Sequence, residues 1–357
     1  MKRKTLSKIY AVALTVAFVG AELLLLGLSA FDSLDGVISL LSGLLISLIF
    51  APTVHELGHI TFANAFGMKL RYSKFFCVKI QKKGGRYAFS LANPFAADET
   101  QVVPTHGGDM KRRAVWYTLG GLIFSGVFLF LFLAAAMILS CLGIHSAKLW
   151  GIIPFAAYLF MLNFAPFEYA SGKTDMLIFE GIRKGELAEI AMIAAMDVQG
   201  RLFAGEEYAK IEKAAFEFPV LAEDEPLFAV CQDLKYRRAL DEGDFENAAD
   251  SLKRLAQSEE YLLDGEGERL AAELTYMHAL GGDLESANKC AKLCENYLKG
   301  ESVAAKRILA TVALLSGKID EAKAIKAQAD ALLTSEDILG ERLLEEKLLS
   351  RLIFDEE

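Results

Sequence analysis

Two histidines and a glutamate set the chemistry open to this chain. They lie in His55-Glu56-Leu57-Gly58-His59, an H-E-x-x-H pattern inside the apolar stretch from Phe50 to Gly67. On a helix, residues four apart share a face, so both imidazoles can reach one metal ion. Glu56 follows the first of them and can sit beside the open coordination position. There it can take a proton from a metal-activated water. The plainer alternative is two histidines on an ordinary helix. Context weighs against it. The chain has five histidines in all, and a charged glutamate beside two imidazoles in an apolar run is costly unless something uses it.

Two histidines do not complete a catalytic zinc site, which takes three protein ligands and leaves one position for water. The candidates for the third are Asp98, His106, Asp109, Glu168 and Asp175. Asp175 is preferred because it follows a broken helix end, where irregular backbone can line a site. Its competing role is that of N-cap to a helix over 176–182.

The elements that must position these groups follow from composition. Apolar residues make up 53% of the 357, and mean hydropathy is +0.30. Charge divides the chain. Through Gly181 there are 16 Lys and Arg against 10 Asp and Glu, and beyond it 22 against 37. An apolar body with basic edges is followed by an acidic half, which argues against nucleic-acid binding. The expected domains are therefore 1–181, in the membrane, and 182–357, soluble and helical.

Residues 9–30 are apolar but for Glu22. That run is too long for a signal-peptide core and long enough to span a bilayer. Residues 37–66, 115–144 and 149–166 supply three more spans. Pro52 should kink the second, since proline removes a backbone donor and crowds the previous turn. A helix continuous from Val37 to Gly67 would be about 45 Å long, more than the hydrocarbon core, so the motif is expected near one membrane face. Basic residues cluster at the start, over 68–113 and at Lys173, while the turns 31–36 and 145–148 carry almost none. Positive charge stays inside, so both termini are expected in the cytoplasm. The second and fourth spans then end on one side, and His55, His59 and Asp175 can converge.

Between spans two and three, Arg71–Ile80 and Arg86–Leu91 read as strands of a β-hairpin over 71–91, turned by Lys83-Gly84-Gly85. Such a hairpin offers either a structural flap or an edge to an extended peptide. The five cysteines form no C-x-x-C and no disulfide framework, and Cys290 and Cys294 read as small buried residues.

In the acidic half three segments recur, 39 and 35 residues apart: Gly243-Asp-Phe-Glu-Asn-Ala248, Gly282-Asp-Leu-Glu-Ser-Ala287 and Gly317-Lys-Ile-Asp-Glu-Ala322. Gly205-Glu-Glu-Tyr-Ala209 is a weaker fourth. Each follows one apolar helix and opens another, as in a helix–turn–helix repeat. The turn and period resemble tetratricopeptide repeats, which present a concave surface to protein partners. A plain helical bundle is the alternative.

The membrane half resembles the site-2 protease family of intramembrane zinc metalloproteases. The residues that carry the resemblance are His55-Glu56-Leu57-Gly58-His59, Ala63-Asn-Ala-Phe-Gly67, Gly120-Gly121, and Asn163-x-x-Pro166 with Asp175 downstream. It covers about residues 37–180. The resemblance implies one zinc ion held by His55, His59 and Asp175, Glu56 as general base, and Asn163 positioning the substrate backbone. It also implies cleavage of a transmembrane or membrane-proximal peptide bond in a membrane-protein substrate, with a bacterial cell membrane as the expected location. Two departures are visible: twelve positions separate Asn163 from Asp175, and Met176 stands where the family's common pattern has glycine. The expected fold is mainly α, a four-span bundle with a small β-element followed by a helical repeat domain. The competing functions are a non-catalytic membrane scaffold whose repeats bind a protein partner, and a zinc hydrolase of a non-peptide bond.

Overall fold

The computed structural model describes residues 2–83, 86–93, 98–144, 146–169, 172–258, 262 and 266–354. Two compact units emerge: one of Met1–Lys82, Tyr87–Val103 and Lys111–Glu186, the other of Lys83–Arg86, Pro104–Met110 and Leu187–Glu357. The fold is mainly helical, with a small β-sheet.

In the first unit the apolar runs become α1 (Lys2–Asp32), α2 (Leu34–Ala65), α3 (Met110–Cys141) and α4 (Ala147–Phe164). All four contain stretches long and apolar enough to cross a membrane. Their outsides carry bare Val16, Leu24, Leu45, Phe130 and Leu131, a surface that suits lipid. The turn expected at 31–36 shrinks to Ser33, whose hydroxyl caps α2 by accepting from the Gly36 N–H. α2 continues through Pro52, and Gly67, at φ +70°, follows its end. Glu22, in α1, is half-buried with one carboxylate oxygen wholly buried and without a hydrogen-bond partner among the described residues.

Contacts fix the helix directions. Gly43 meets the Lys148 carbonyl and Ser47 Oγ donates to the Ile152 carbonyl, both offset by 105 residues, so α2 and α4 run parallel. Tyr10 pairs with Met161 and Phe18 with Phe155, so α1 runs against α4. Gly58 faces Gly120 while His55 faces Ser125, so α3 runs against α2. Glycine makes the last crossing close: a Cβ on Gly58 would lie 2.3 Å from the Gly120 carbonyl oxygen, and one on Gly120 2.6 Å from that of Gly58.

The sheet corrects the two-strand hairpin. Four strands, β1 (Met68–Phe75), β2 (Val78–Lys83), β3 (Arg86–Leu91) and β4 (Glu99–Pro104), lie in the order β3-β2-β1-β4. The segment read as one strand over 71–80 turns back at Phe76-Cys77, where Phe75 pairs with Val78. Phe76 takes φ +51°, unusual for its type. Asp98 holds the turn, accepting from the Phe76 N–H at 2.9 Å and from Lys74 Nζ at 2.8 Å. The Gly84-Gly85 turn lies outside the described residues. After α4 come β5 (Glu168–Tyr169) and β6 (Gly172–Lys173), then α5 (Asp175–Lys184).

The second unit holds α6 (Leu187–Ala204), α7 (Pro226–Glu242), α8 (Phe245–Gln257), α9 (Glu266–Leu280), α10 (Leu284–Leu293), α11 (Glu295–Leu298), α12 (Val303–Leu315), α13 (Ile319–Leu332) and α14 (Leu339–Ser350). The three recurring segments share one build. Gly243, Gly282 and Gly317 end α7, α9 and α12 at φ of 78°, 77° and 74°, where a side chain would be strained. Asp244 and Asp283 cap the helices that follow. Ala248, Ala287 and Ala322, each 0% exposed, seat the second helix against the first. Gly205 also ends a helix, but a turn and a short 3-10 segment follow it rather than a second helix.

Arg307, on α12, is 1% exposed and joins this unit's core through charge. Its guanidinium donates to Glu273 of α9 at 3.0 Å and to Glu345 of α14 at 2.7 Å, and lies 4.0 Å from the centre of the Tyr276 ring. Tyr236 of α7 donates to the same Glu273. Replacing Arg307 with Met leaves two buried carboxylates without their cation, and the expected cost is about 3–5 kcal/mol. Urea unfolding of the full chain, followed by helicity, checks this. Adding Glu273→Leu and Glu345→Leu should recover most of the loss.

Candidate metal centre

The centre forms where α2, α3 and the start of α5 meet. His55 and His59 sit one turn apart on α2, and Asp175 is the first residue of α5. The Nε2 atoms of the two histidines are 3.3 Å apart. Asp175 Oδ2 lies 3.1 Å from that of His55 and 3.5 Å from that of His59. Four ligands at about 2.0–2.1 Å from a tetrahedral zinc stand about 3.3–3.4 Å apart, so the three atoms already have the spacing of three corners. Asp175 Oδ2 is buried and, among the described residues, faces no polar group but the two imidazole nitrogens. Such an atom is costly unless a cation meets it. The two-nitrogen, one-oxygen donor set is one that zinc accepts.

Each imidazole is aimed by its other nitrogen. His59 Nδ1 lies 2.8 Å from the Tyr117 carbonyl oxygen. A carbonyl can only accept, so Nδ1 carries the proton and Nε2 keeps its lone pair for a metal. His55 Nδ1 lies 2.9 Å from Ser125 Oγ, and donation to that hydroxyl leaves its Nε2 equally available. Gly121 of α3 clears the space between them. A Cβ there would stand 2.4 Å from His59 Nε2 and 2.8 Å from His55 Nε2.

Asp175 is free for this role because its neighbour caps the helix. Thr174 Oγ1 accepts from the Leu177 N–H and donates to the Ala165 carbonyl, tying the start of α5 to the end of α4. The competing role of N-cap therefore falls to Thr174 and not to Asp175.

Glu56 is 6% exposed, and its Oε2 accepts from Thr100 Oγ1 at 2.5 Å. It is not among the three clustered donor groups. It stands beside them, held from the sheet side by β4.

The other candidates lie elsewhere. Asp98 is committed to Lys74 and the Phe76 turn. His106 and Asp109 fall in the other compact unit, and Glu168 is exposed on β5. Asn163 stays at the end of α4, its amide donating to the Leu159 carbonyl at 3.3 Å. Cys294 is buried, its thiol donating to the Cys290 carbonyl. Sequence reasoning did not find Thr100, Tyr117 or Ser125. These partners stand 44 to 70 residues from the groups they hold. Gly121 had a signal, the Gly-Gly pair, but that pair pointed to helix packing. Comparisons of the chain with protein-family models, curated proteins and solved structures gave no match.

Proposed function

We propose that this chain is an intramembrane zinc-dependent endopeptidase, the activity implied by its resemblance to the site-2 protease family. The observation that carries the reading is the convergence of His55 Nε2, His59 Nε2 and Asp175 Oδ2 within 3.1–3.5 Å of one another, beside a buried Glu56, in a body of four apolar helices. A zinc ion held by these three side chains supplies Lewis acidity toward a water and the scissile carbonyl. Glu56 is the general base, taking a proton from the attacking water and passing it to the departing amine. The oriented Nδ1 atoms favour a working centre over a vestigial one in a scaffold, because they hold both rings ready to ligate.

Helix directions support four passes with both ends on one side, since α1 and α3 run opposite to α2 and α4, and the basic edges assign that side to the cytoplasm. A helical substrate hides its peptide carbonyls, so the cleaved segment must be extended. β4, an edge strand whose Thr100 touches Glu56, is the nearest edge to lie against. The three glycine-ended helix pairs of the second unit support a tetratricopeptide-like domain that takes a protein partner.

Comparative membrane proteomics of cells carrying wild type or Glu56→Gln tests the reading. A single-span protein should accumulate intact in the variant and appear as fragments in wild type. Identical profiles would remove the protease assignment.

A further inference from the structure

A three-residue relay joins the sheet to the candidate base. Ser73 of β1 is 0% exposed, and its hydroxyl lies 2.9 Å from Thr100 Oγ1. Thr100 Oγ1 donates to Glu56 Oε2. The direction of both bonds follows from what each group can do. An ionised carboxylate only accepts, so the one hydroxyl proton of Thr100 goes to Glu56. Thr100 can then only accept from Ser73, whose proton must point toward it. The main chain of Thr100 is fixed as well: the Tyr117 hydroxyl donates to its carbonyl, and the Tyr117 carbonyl is the group that orients His59. Thr100 is therefore tied through its side chain to the candidate base and through its backbone to a candidate ligand.

We infer that Thr100 is the positioning residue of the reaction. It takes up Glu56 Oε2 and leaves Oε1 for the attacking water, and it carries the geometry of the sheet edge into the centre. The inference rests on the endopeptidase reading for what Glu56 does, but not for how Glu56 is held. Because Thr100 lies on the edge strand beside which an extended substrate would run, a substrate that shifts β4 also shifts the base. Loss of the hydroxyl should therefore reduce turnover and leave substrate and metal binding in place.

The test compares purified full-length wild type, Thr100→Val, Thr100→Ser and Glu56→Gln in detergent, with fluorescein-labelled casein as the probe. Thr100→Val keeps the shape of the half-buried side chain and removes its proton. The expected result is a kcat lowered about 10–100-fold, the usual range for loss of a residue supporting a metal site. KM, metal content and melting temperature should be unchanged, and Thr100→Ser should recover turnover to within about threefold of wild type. A second readout needs no turnover. The infrared carboxylate band of Glu56, isolated by subtraction of the Glu56→Gln spectrum, should move in Thr100→Val and return in Thr100→Ser. If Thr100→Val does not fold, Ser73→Ala, which removes only the back-donation, should still move that band. An unmoved band, or a Thr100→Val enzyme with wild-type kcat, overturns the inference. A moved band in a protein whose casein turnover does not differ between wild type and Glu56→Gln overturns the endopeptidase reading instead, and leaves Thr100 as the residue that holds Glu56.

Discussion

Glu56→Gln is expected to retain its full metal content and to lose about 10²–10⁴-fold in turnover, the range that a positioned general base contributes. The two halves of this expectation come from different contacts. Metal is retained because the clustered donors are His55, His59 and Asp175, and Glu56 is not one of them. Turnover is lost because the amide has the shape of the carboxylate but almost none of its basicity. The Thr100 hydroxyl can still donate to the amide oxygen, so the side chain should stay where it is. Metal analysis and proteolysis of the same preparation check both halves. A variant that turns over normally would remove Glu56 from the base role, and one that loses its metal would make Glu56 a ligand.

Gly121→Ala should be nearly as severe by a different route. Alanine is the better helix former by about 1 kcal/mol, so α3 itself gains. The added methyl, however, would stand 2.4 Å from His59 Nε2 and 2.7 Å from His55 Cε1, distances that unbonded carbon does not adopt. The rings must swing or the helices must part, and either movement breaks the spacing of the three donors. Metal affinity is expected to fall by at least about 100-fold with helicity unchanged. Gly126→Ala is the control on the same helix: its Cβ would meet only the Phe160 ring, at 3.3 Å, and metal content should hold. Competition against a chelator of known affinity separates the two. Equal metal affinity in the two variants would mean that Gly121 is there only for packing.

How much of this was legible in the sequence depends on the range over which each feature is determined. Hydropathy marked four apolar helices, because a bilayer imposes length and apolarity locally, and the expected ends fell within seven residues of the helix ends. The i,i+4 spacing placed His55 and His59 on one face without any knowledge of tertiary structure. The turn at Phe76-Cys77 was invisible, since neither residue is a turn former and the group that stabilises it, Asp98, is 22 residues away. β4 went unread for a related reason, being a six-residue strand with modest alternation whose neighbour in the sheet is β1, not β3. The sequence left the cap of α5 open as a competing role for Asp175: both Thr174 and Asp175 can cap, and only the tie from Thr174 to the Ala165 carbonyl decides between them. In the second unit the Gly-x-x-x-x-Ala turns showed in the sequence because each is closed by its own residues. The Arg307 network did not show, because its members come from four helices.

The proposed centre stands or falls on whether His55, His59 and Asp175 together hold one metal ion. Asp175 decides it, because it lies far from the histidine motif in sequence and its helix is capped by Thr174, so that Asp175→Ala can remove the donor without removing the cap. The direct measurement is the metal content of wild type and Asp175→Ala, purified in parallel and examined by elemental analysis. The expected result is about one zinc per wild-type chain and less than about a tenth of that in the variant, with both proteins equally helical. A wild-type protein without bound metal, or an Asp175→Ala protein with a full complement, would contradict it.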